Sequence, residues 1–337
     1  MIASPSQKFY LVGGKLKPNV NGQPEWTHYE KALVVKCEAP AGKCETLLEY
    51  FTPPSACAVA DDPSILFKAA TVQGDELVLC TQTEVLIHRL SDWQRTHYIS
   101  LPCFNDVHHV RPTPNGTLLV AVTGLDFIVE ITRAGEILRE WNVAEAKTWE
   151  RFSREVDYRT IVSTKPHQAH PNYVFAVEEE IWATRFQQRD AICLTAPQRR
   201  IDIGIGGPHD GIVHGRHVYF TTVNGHIVQA DCASGQIVQS FDLNQMSDTR
   251  GPLGWCRGLW LLDEAHAVVG FSRLRPTKFR ENVAWVKRWA KASLGLEESV
   301  AMKPTRIALY NLHARRMLWE VNVETADLNA IFSIHPA

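Results

Sequence analysis

The chain has 337 residues, 45% hydrophobic and 21% charged, which is the balance of an ordinary globular protein. A formal net charge of −2 removes any bulk electrostatic argument for nucleic acid or an anionic membrane as partner. No apolar run approaches the roughly 18–20 residues that span a bilayer.

The opening stretch MIASPSQKFYLVGGKLKP lacks a basic segment followed by an apolar one, so no secretory signal is expected. Eight cysteines are scattered without CxxC spacing, most in apolar strand-like contexts. Buried free thiols and a cytoplasmic location are therefore the expectation.

In chain order, a degenerate first unit over 8–52 carries the β-rich runs FYLVGG, ALVVKC and ETLLEYF. Within it, residues 10–31 contain Lys-Pro, Asn-Gly and Gln-Pro steps and read as a long loop. Residues 63–101 contribute SILFKAATVQGDELVLC, TEVLIHRL and THYISL. The clearest repeat follows, between 105–143 and 206–243. Each copy has a His-containing entry, a β-rich run (TLLVAVT, HVYFTTV) and a turn at Gly124 or Asn224-Gly225. A second run (FIVEIT, HIVQAD), a turn with Gly135 or Gly235 and a third run (EILREW, QIVQSF) complete it. Short β-rich runs between Gly/Asn turns mean antiparallel hairpins.

Weaker copies occupy 166–203 and 255–323, and AIFSI at 330–334 is a strand available to complete the first unit. Units of about 40 residues repeated in this way predict an all-β fold, a single β-propeller over 1–337 with about six blades, seven being possible. Closing the ring with the last strand removes its two exposed sheet edges. Two helical insertions interrupt the period, near 144–165 and 273–304. In the second, ENVAWVKRWAKAS places Trp285, Trp289 and Ala292 on one helix face. The helix 280–293 is thus a cap, a lid or a docking surface for a protein partner.

The first strand of a propeller blade lines the channel, so blade entries converge in space. Here the entries read NDVHHV, KPHQAHPN, GGPHDG and GWCRGL, and the chain ends in SIHPA. His108 lies ten residues before Leu118, His209 nine before Val218 and His170 eleven before Ile181. These offsets agree within the slack of turn lengths. His108, His170 and His209 are therefore the candidate metal ligands, with His335 or His109 as a fourth. His108 against His109, and His167 against His170, stay open, because a one-residue slip exchanges the strand faces.

Converging imidazoles suit a transition metal, Fe(II) ahead of Cu or Zn, and do not suit Ca²⁺. Asp106 and Asp210 are placed to orient a His N–H, and Arg257 to hold an anionic substrate by a bidentate contact. There is no GxSxG elbow, P-loop, HExxH or EF-hand pattern.

The phrases NDVHHVRPTPNGTLLVA and GGPHDGIVHGRHVYFTT resemble the blade entries of the NHL and SMP-30 (gluconolactonase-like) propellers. That resemblance implies a propeller fold. It departs from the gluconolactonase-like enzymes at the site, since those use a Glu/Asn/Asp calcium site where this chain offers histidines. A His-lined axis is similar in geometry to the iron-binding carotenoid oxygenases, which use four histidines from different blades.

The expectation is thus a metal-dependent enzyme acting on a small, anionic substrate, an oxidoreductase or oxygenase. A metal-assisted hydrolase or lyase, and a non-catalytic interaction propeller, are the alternatives.

Overall fold

The computed structural model describes residues 6–18, 20, 25–56, 62–247, 252–274 and 303–337. Their strands form six four-stranded antiparallel sheets. Blade II runs over Ala69–Gln73, Glu76–Cys80, Val85–Arg89 and Arg95–Ile99. Blade III comprises Val107–Pro112, Leu118–Val122, Phe127–Ile131 and Ile137–Asn142, and blade IV Pro171–Val177, Glu180–Arg185, Asp190–Cys193 and Arg200–Asp202. Blade V comprises Ile212–His214, His217–Thr222, His226–Asp231 and Ile237–Asp242. Blade VI is Trp255–Leu261, His266–Ser272, Arg306–Asn311 and Arg316–Asn322.

Blade I closes the ring. Its inner strand is the C-terminal Ala330–Pro336, which pairs with Gln7–Leu16, followed by Tyr29–Ala39 and Lys43–Tyr50. At this seam Gly13 is required by close approach, because a Cβ there would stand 1.7 Å from the Ala330 carbonyl oxygen.

The burial pattern explains why the middle strands read as unbroken apolar runs. Each blade is covered on both faces by its neighbours, so Leu118–Val122 (LLVAV) is buried at every position. The outermost strand meets water, and Ile137–Asn142 has no fully buried residue. The core is accordingly divided into slabs between adjacent blades. Val78 and Ile87 of blade II pack with Val120 and Val129 of blade III, and Ala121 and Ile128 with Val174 and Ala183 across III and IV. The slab between VI and I joins Val268 and Ile307 to Leu11 and Val35, and Val12 and Val34 meet Leu77 and Leu79 across I and II. Continuous slabs all the way round make this a closed six-bladed β-propeller.

Two sequence expectations change in detail. The long loop expected at 10–31 is shorter, since strand pairing extends to Leu16 and resumes at Tyr29. The 144–165 insertion contains one α-helical turn, Thr148–Arg151, and a 3-10 turn at Tyr158–Thr160. The helix expected at 280–293 lies outside the described residues.

A candidate metal centre at the channel mouth

Five of the six inner strands carry one extra residue where they enter the channel. In blade III, Val107 pairs with Val122 and His109 with Ala121, which leaves His108 as a bulge. In blade IV the pairing passes from Pro171–Arg185 to Tyr173–Thr184, leaving Asn172. In blade VI, Arg257 and Gly258 oppose the single Gly270, and in blade I Phe332 is extra between Ile331 and Ser333. In blade V three residues, 209–211, face two between the Pro208–Thr222 bridge and the Ile212–Tyr219 pair.

A bulge re-aims a side chain out of the pleat. Here it turns His108, Asn172, Arg257 and Phe332 into one cavity of about 490 Å³, where Lys68 joins them at the entry of blade II.

The residue after the bulge does a different job. Ser333 Oγ accepts from Ala70 N at 2.9 Å, His109 Nδ1 from Val174 N at 3.2 Å, and Asp210 Oδ2 from Gly258 N at 3.0 Å. Each ties its blade to the inner strand of the next. This distinguishes His108 from His109: His108 faces the cavity, whereas His109 is a strap whose ring stacks on Tyr173 with centroids 3.6 Å apart.

Among the described residues, one close group of possible ligands combines two blade entries. Asp106, His167 and His170 each offer a ligand atom, all within 4.8 Å of one another. His167 and His170 both belong to the group, with their Nδ1 atoms 2.7 Å apart. His108 adjoins them, its ring centroid 5.0 Å from that of His170. His209 lies beyond, 6.4 Å from His108 and 6.1 Å from Phe332.

His335 is placed elsewhere. Its Nε2 bonds the Ala70 carbonyl at 3.1 Å, its ring lies 6.5 Å from Trp260, and it does not line the cavity.

Asp210 also has partners other than those expected. Its carboxylate accepts from Thr221 Oγ1 and Gly258 N, and lies 4.0 Å from His209 Nδ1, beyond hydrogen-bond range. Asp106, expected only to orient a histidine, stands within the cluster itself.

Hydrogen bonds fix the tautomers. His108 Nδ1 lies 2.7 Å from the Asp106 carbonyl, a pure acceptor, so Nδ1 carries the proton and Nε2 the lone pair. Thr164 Oγ1 donates to Gly124 O and therefore accepts from His167 Nε2–H at 3.3 Å. A neutral His167 then accepts at Nδ1 from His170, which leaves His170 Nε2 as a lone pair, and a metal taken up at His167 Nδ1 would replace that hydrogen bond. Burial keeps these rings neutral. It pushes His108 down to about 3 and holds His170 and His209 well below the ordinary histidine value. Neutral imidazole is the form that binds metal.

Asp106 shows the opposite balance: burial alone would raise it, but the Lys68 ammonium beside it holds it well below the usual carboxylate range.

The His167–His170 segment is held by one buried carboxylate. Asp126 accepts from the backbone N–H of Gln168 at 2.7 Å, Ala169 at 3.0 Å and His170 at 2.7 Å, while Arg151 Nη1 donates to it at 2.8 Å. His170, Asp106 and Asp126 all have φ near +55°, a conformation L-residues avoid, and over-determined hydrogen bonding of this kind is what sustains it.

Two of the described side chains at the blade entries, His209 and Asn172, keep buried polar atoms without a protein partner. Both ring nitrogens of His209 lack a hydrogen bond at 2% exposure, as does Asn172 Oδ1, whose Nδ2 is committed to Pro208 O. An unsatisfied imidazole in a native core calls for a bound ion, water or ligand. Arg257 contributes a charged plane, its guanidinium 4.7 Å from the Phe332 ring and 5.3 Å from Trp255.

Fold and cavity together define a six-bladed β-propeller with a His/Asp cluster at its channel mouth. No protein-family model matches the chain, and no curated protein does. It is similar in structure to a protein of unknown function from Bacteroides caccae, with a TM-score of 0.62 at 13% identity over 98% of each chain. A chain of the mitotic checkpoint complex aligns over 86% of this chain and 72% of its own, at 8% identity and a TM-score of 0.48. The first likeness supports the fold, and the second is too loose to carry an argument. What these comparisons support is the propeller architecture, and no family model places the chain among the NHL or SMP-30 propellers. Among the described residues no helix is long and apolar enough to cross a membrane.

Proposed function

We propose that the protein is a metal-dependent enzyme whose channel mouth binds a divalent transition metal through His167, His170 and Asp106. The observation that carries this reading is the convergence of those three ligand atoms within 4.8 Å. The sequence suggested an all-imidazole set; the converging donors are two histidines and one carboxylate. That combination with open positions suits non-haem Fe(II), and it moves the reading further towards oxidoreductase or oxygenase chemistry. His108 adjoins the cluster as a further nitrogen donor, with His209 beyond it.

The cavity supports a small substrate bearing negative charge. Its volume of about 490 Å³ is that of a small-molecule site. Lys68 and Arg257 both line the cavity, and the Arg257 guanidinium over the Phe332 ring is suited to a bidentate contact with a carboxylate. When bound, the metal would supply redox or Lewis-acid chemistry. The chain's own residues orient the substrate and keep the imidazoles neutral.

Elemental analysis after anaerobic reconstitution with Fe(II) tests the reading. About one equivalent per chain is expected, falling to near zero in His170→Ala and Asp106→Ala. A chain that takes up no Fe(II), Cu(II) or Zn(II) would overturn it in favour of a non-catalytic interaction propeller.

A further inference from the structure

Blade I holds a second reactive group, remote in kind from the channel. Its strands Tyr29–Ala39 and Lys43–Tyr50 are joined by a tight hairpin in which Gly42 N donates to Glu38 O at 2.8 Å. The register sets Cys37 directly opposite Cys44. Directly opposed residues of an antiparallel pair have Cα atoms about 4.5–5.5 Å apart and side chains on one face. That falls within the roughly 4.4–6.8 Å a disulfide spans. The other strand cysteines have no such partner: Cys80 faces Val85, Cys193 faces Trp182 and Cys256 faces Phe271.

We propose that Cys37 and Cys44 form a reversible disulfide, making the outer hairpin of the closure blade a site of oxidative modification by hydrogen peroxide. The two thiols have distinct roles. Cys37 is fully buried in the slab between blades VI and I, whereas Cys44 is half-buried at its border and is reached first. The two thiols act on one another across the strand pair, which lowers the Cys44 thiol and raises that of Cys37. Burial instead raises Cys80 and Cys103 to about 12, and Cys256 well above its ordinary value. Among the described cysteines Cys44 is thereby the one whose thiol is lowered, the direction that favours the reactive thiolate.

In the first step the Cys44 thiolate attacks a peroxide oxygen, the O–O bond breaks, and hydroxide leaves to become water. Cys44 is now a sulfenic acid. Cys37 sulfur then attacks the Cys44 sulfur, and the sulfenic hydroxyl departs with the Cys37 proton as a second water. Two thiols and one peroxide give one disulfide and two waters. A dithiol reductant reverses it by exchange.

The test is a peroxide titration of the full chain and of Cys57→Ser, read by intact mass and by peptide mapping. The expected result is a loss of two hydrogens, a peptide linking residues 37 and 44, and full reversal by dithiothreitol. Cys37→Ser should let the Cys44 sulfenic acid accumulate and be trapped by dimedone, and Cys44→Ser should slow oxidation of Cys37 at least tenfold. Oxidation of Cys44 to the sulfinic acid without a link to Cys37, or a link from Cys44 to any other cysteine, would overturn the proposal. Bound metal is measured on the same samples. Because the pair lies outside the channel cluster, the modification stands or falls separately from the metal reading.

Discussion

The Nδ1 atoms of His167 and His170 lie 2.7 Å apart, close enough to share one proton and close enough to serve one ion. Removing either ring takes away a donor and breaks the hydrogen bond between the two. His167→Ala and His170→Ala are each expected to weaken divalent-metal binding by about 100-fold or more, a loss of about 3 kcal/mol. His313→Ala, at an exposed turn of blade VI, should leave it unchanged. Titration of the chelator-stripped protein with Fe(II) or Zn(II) reads the difference.

Asp126 touches no cavity ligand through a ring, yet it holds the backbone of both. Asp126→Ala frees three N–H groups and strands Arg151. Loss of one partner of a buried charge pair costs about 3–5 kcal/mol. Loss of a supporting shell of this kind lowers metal affinity by about 10–100-fold. Asp126→Asn, which keeps one acceptor, should recover part of both. Denaturant unfolding and metal titration separate the two effects.

Lys68 and an incoming cation compete for the same carboxylate. Its ammonium contacts Asp106 inside the cavity. Lys68→Met should therefore raise metal affinity about tenfold while weakening an anionic ligand, since a like charge beside the ion has been removed. A fall in metal affinity in this variant would show that Lys68 positions Asp106 as a ligand instead of blocking it.

Acid should destabilise the fold before it strips the carboxylates. Burial pushes His108 down to about 3 and His335 to about 4, below the unfolded value near 6.5. The unfolded chain then binds more protons, so stability is lost as pH falls below about 6.5, by about 1.4 kcal/mol per buried histidine per pH unit. Asp210 works the other way. Burial lifts it to about 6, so its protonation returns some stability as pH falls through that value. With His109, His170 and His209 also depressed, the net slope is towards acid instability. Thermal unfolding at pH 7.5 and 5.5 should show a large drop in Tm, and His335→Gln should flatten it.

Ring closure rests on one strand. Truncation after Asn329 removes Ala330–Pro336, uncovers the edge of Gln7–Leu16 and opens the slabs on both sides of blade I. The truncated chain is expected to lose cooperative unfolding and to aggregate. A soluble chain with an unchanged Tm would show that the ring does not depend on this closure.

Much of the architecture was legible because strand signals are local. Alternating β-rich runs with Gly and Asn turns marked the hairpins of blades III and V, and AIFSI could be matched to a vacant inner-strand position. The long loop at 10–31 was misread because Lys-Pro and Asn-Gly are turn signals, whereas pairing to Tyr29–Ala39 extends the first strand to Leu16. The cluster was legible only in outline. His108, His170 and His209 follow from the blade count, but His335 shares the residue type without sharing the position. It follows the bulge by three residues and its Nε2 bonds the next blade.

By itself the sequence determined the propeller, its closing strand and the convergence of blade entries on one rim. These depend on periodicity and turn chemistry, which are written within a few residues. Only the tertiary structure decided which entry residues face the cavity, because one-residue bulges set by pairing with the neighbouring strand reverse the inside–outside order. It alone separated His108 from His109, drew Asp106 and His167 into the cluster, and made Asp210 a strap between blades. The same distinction applies to the metal reading. The histidines of the blade entries suggested a metal, while the segment held by Asp126 brought His167 and His170 beside the Asp106 carboxylate.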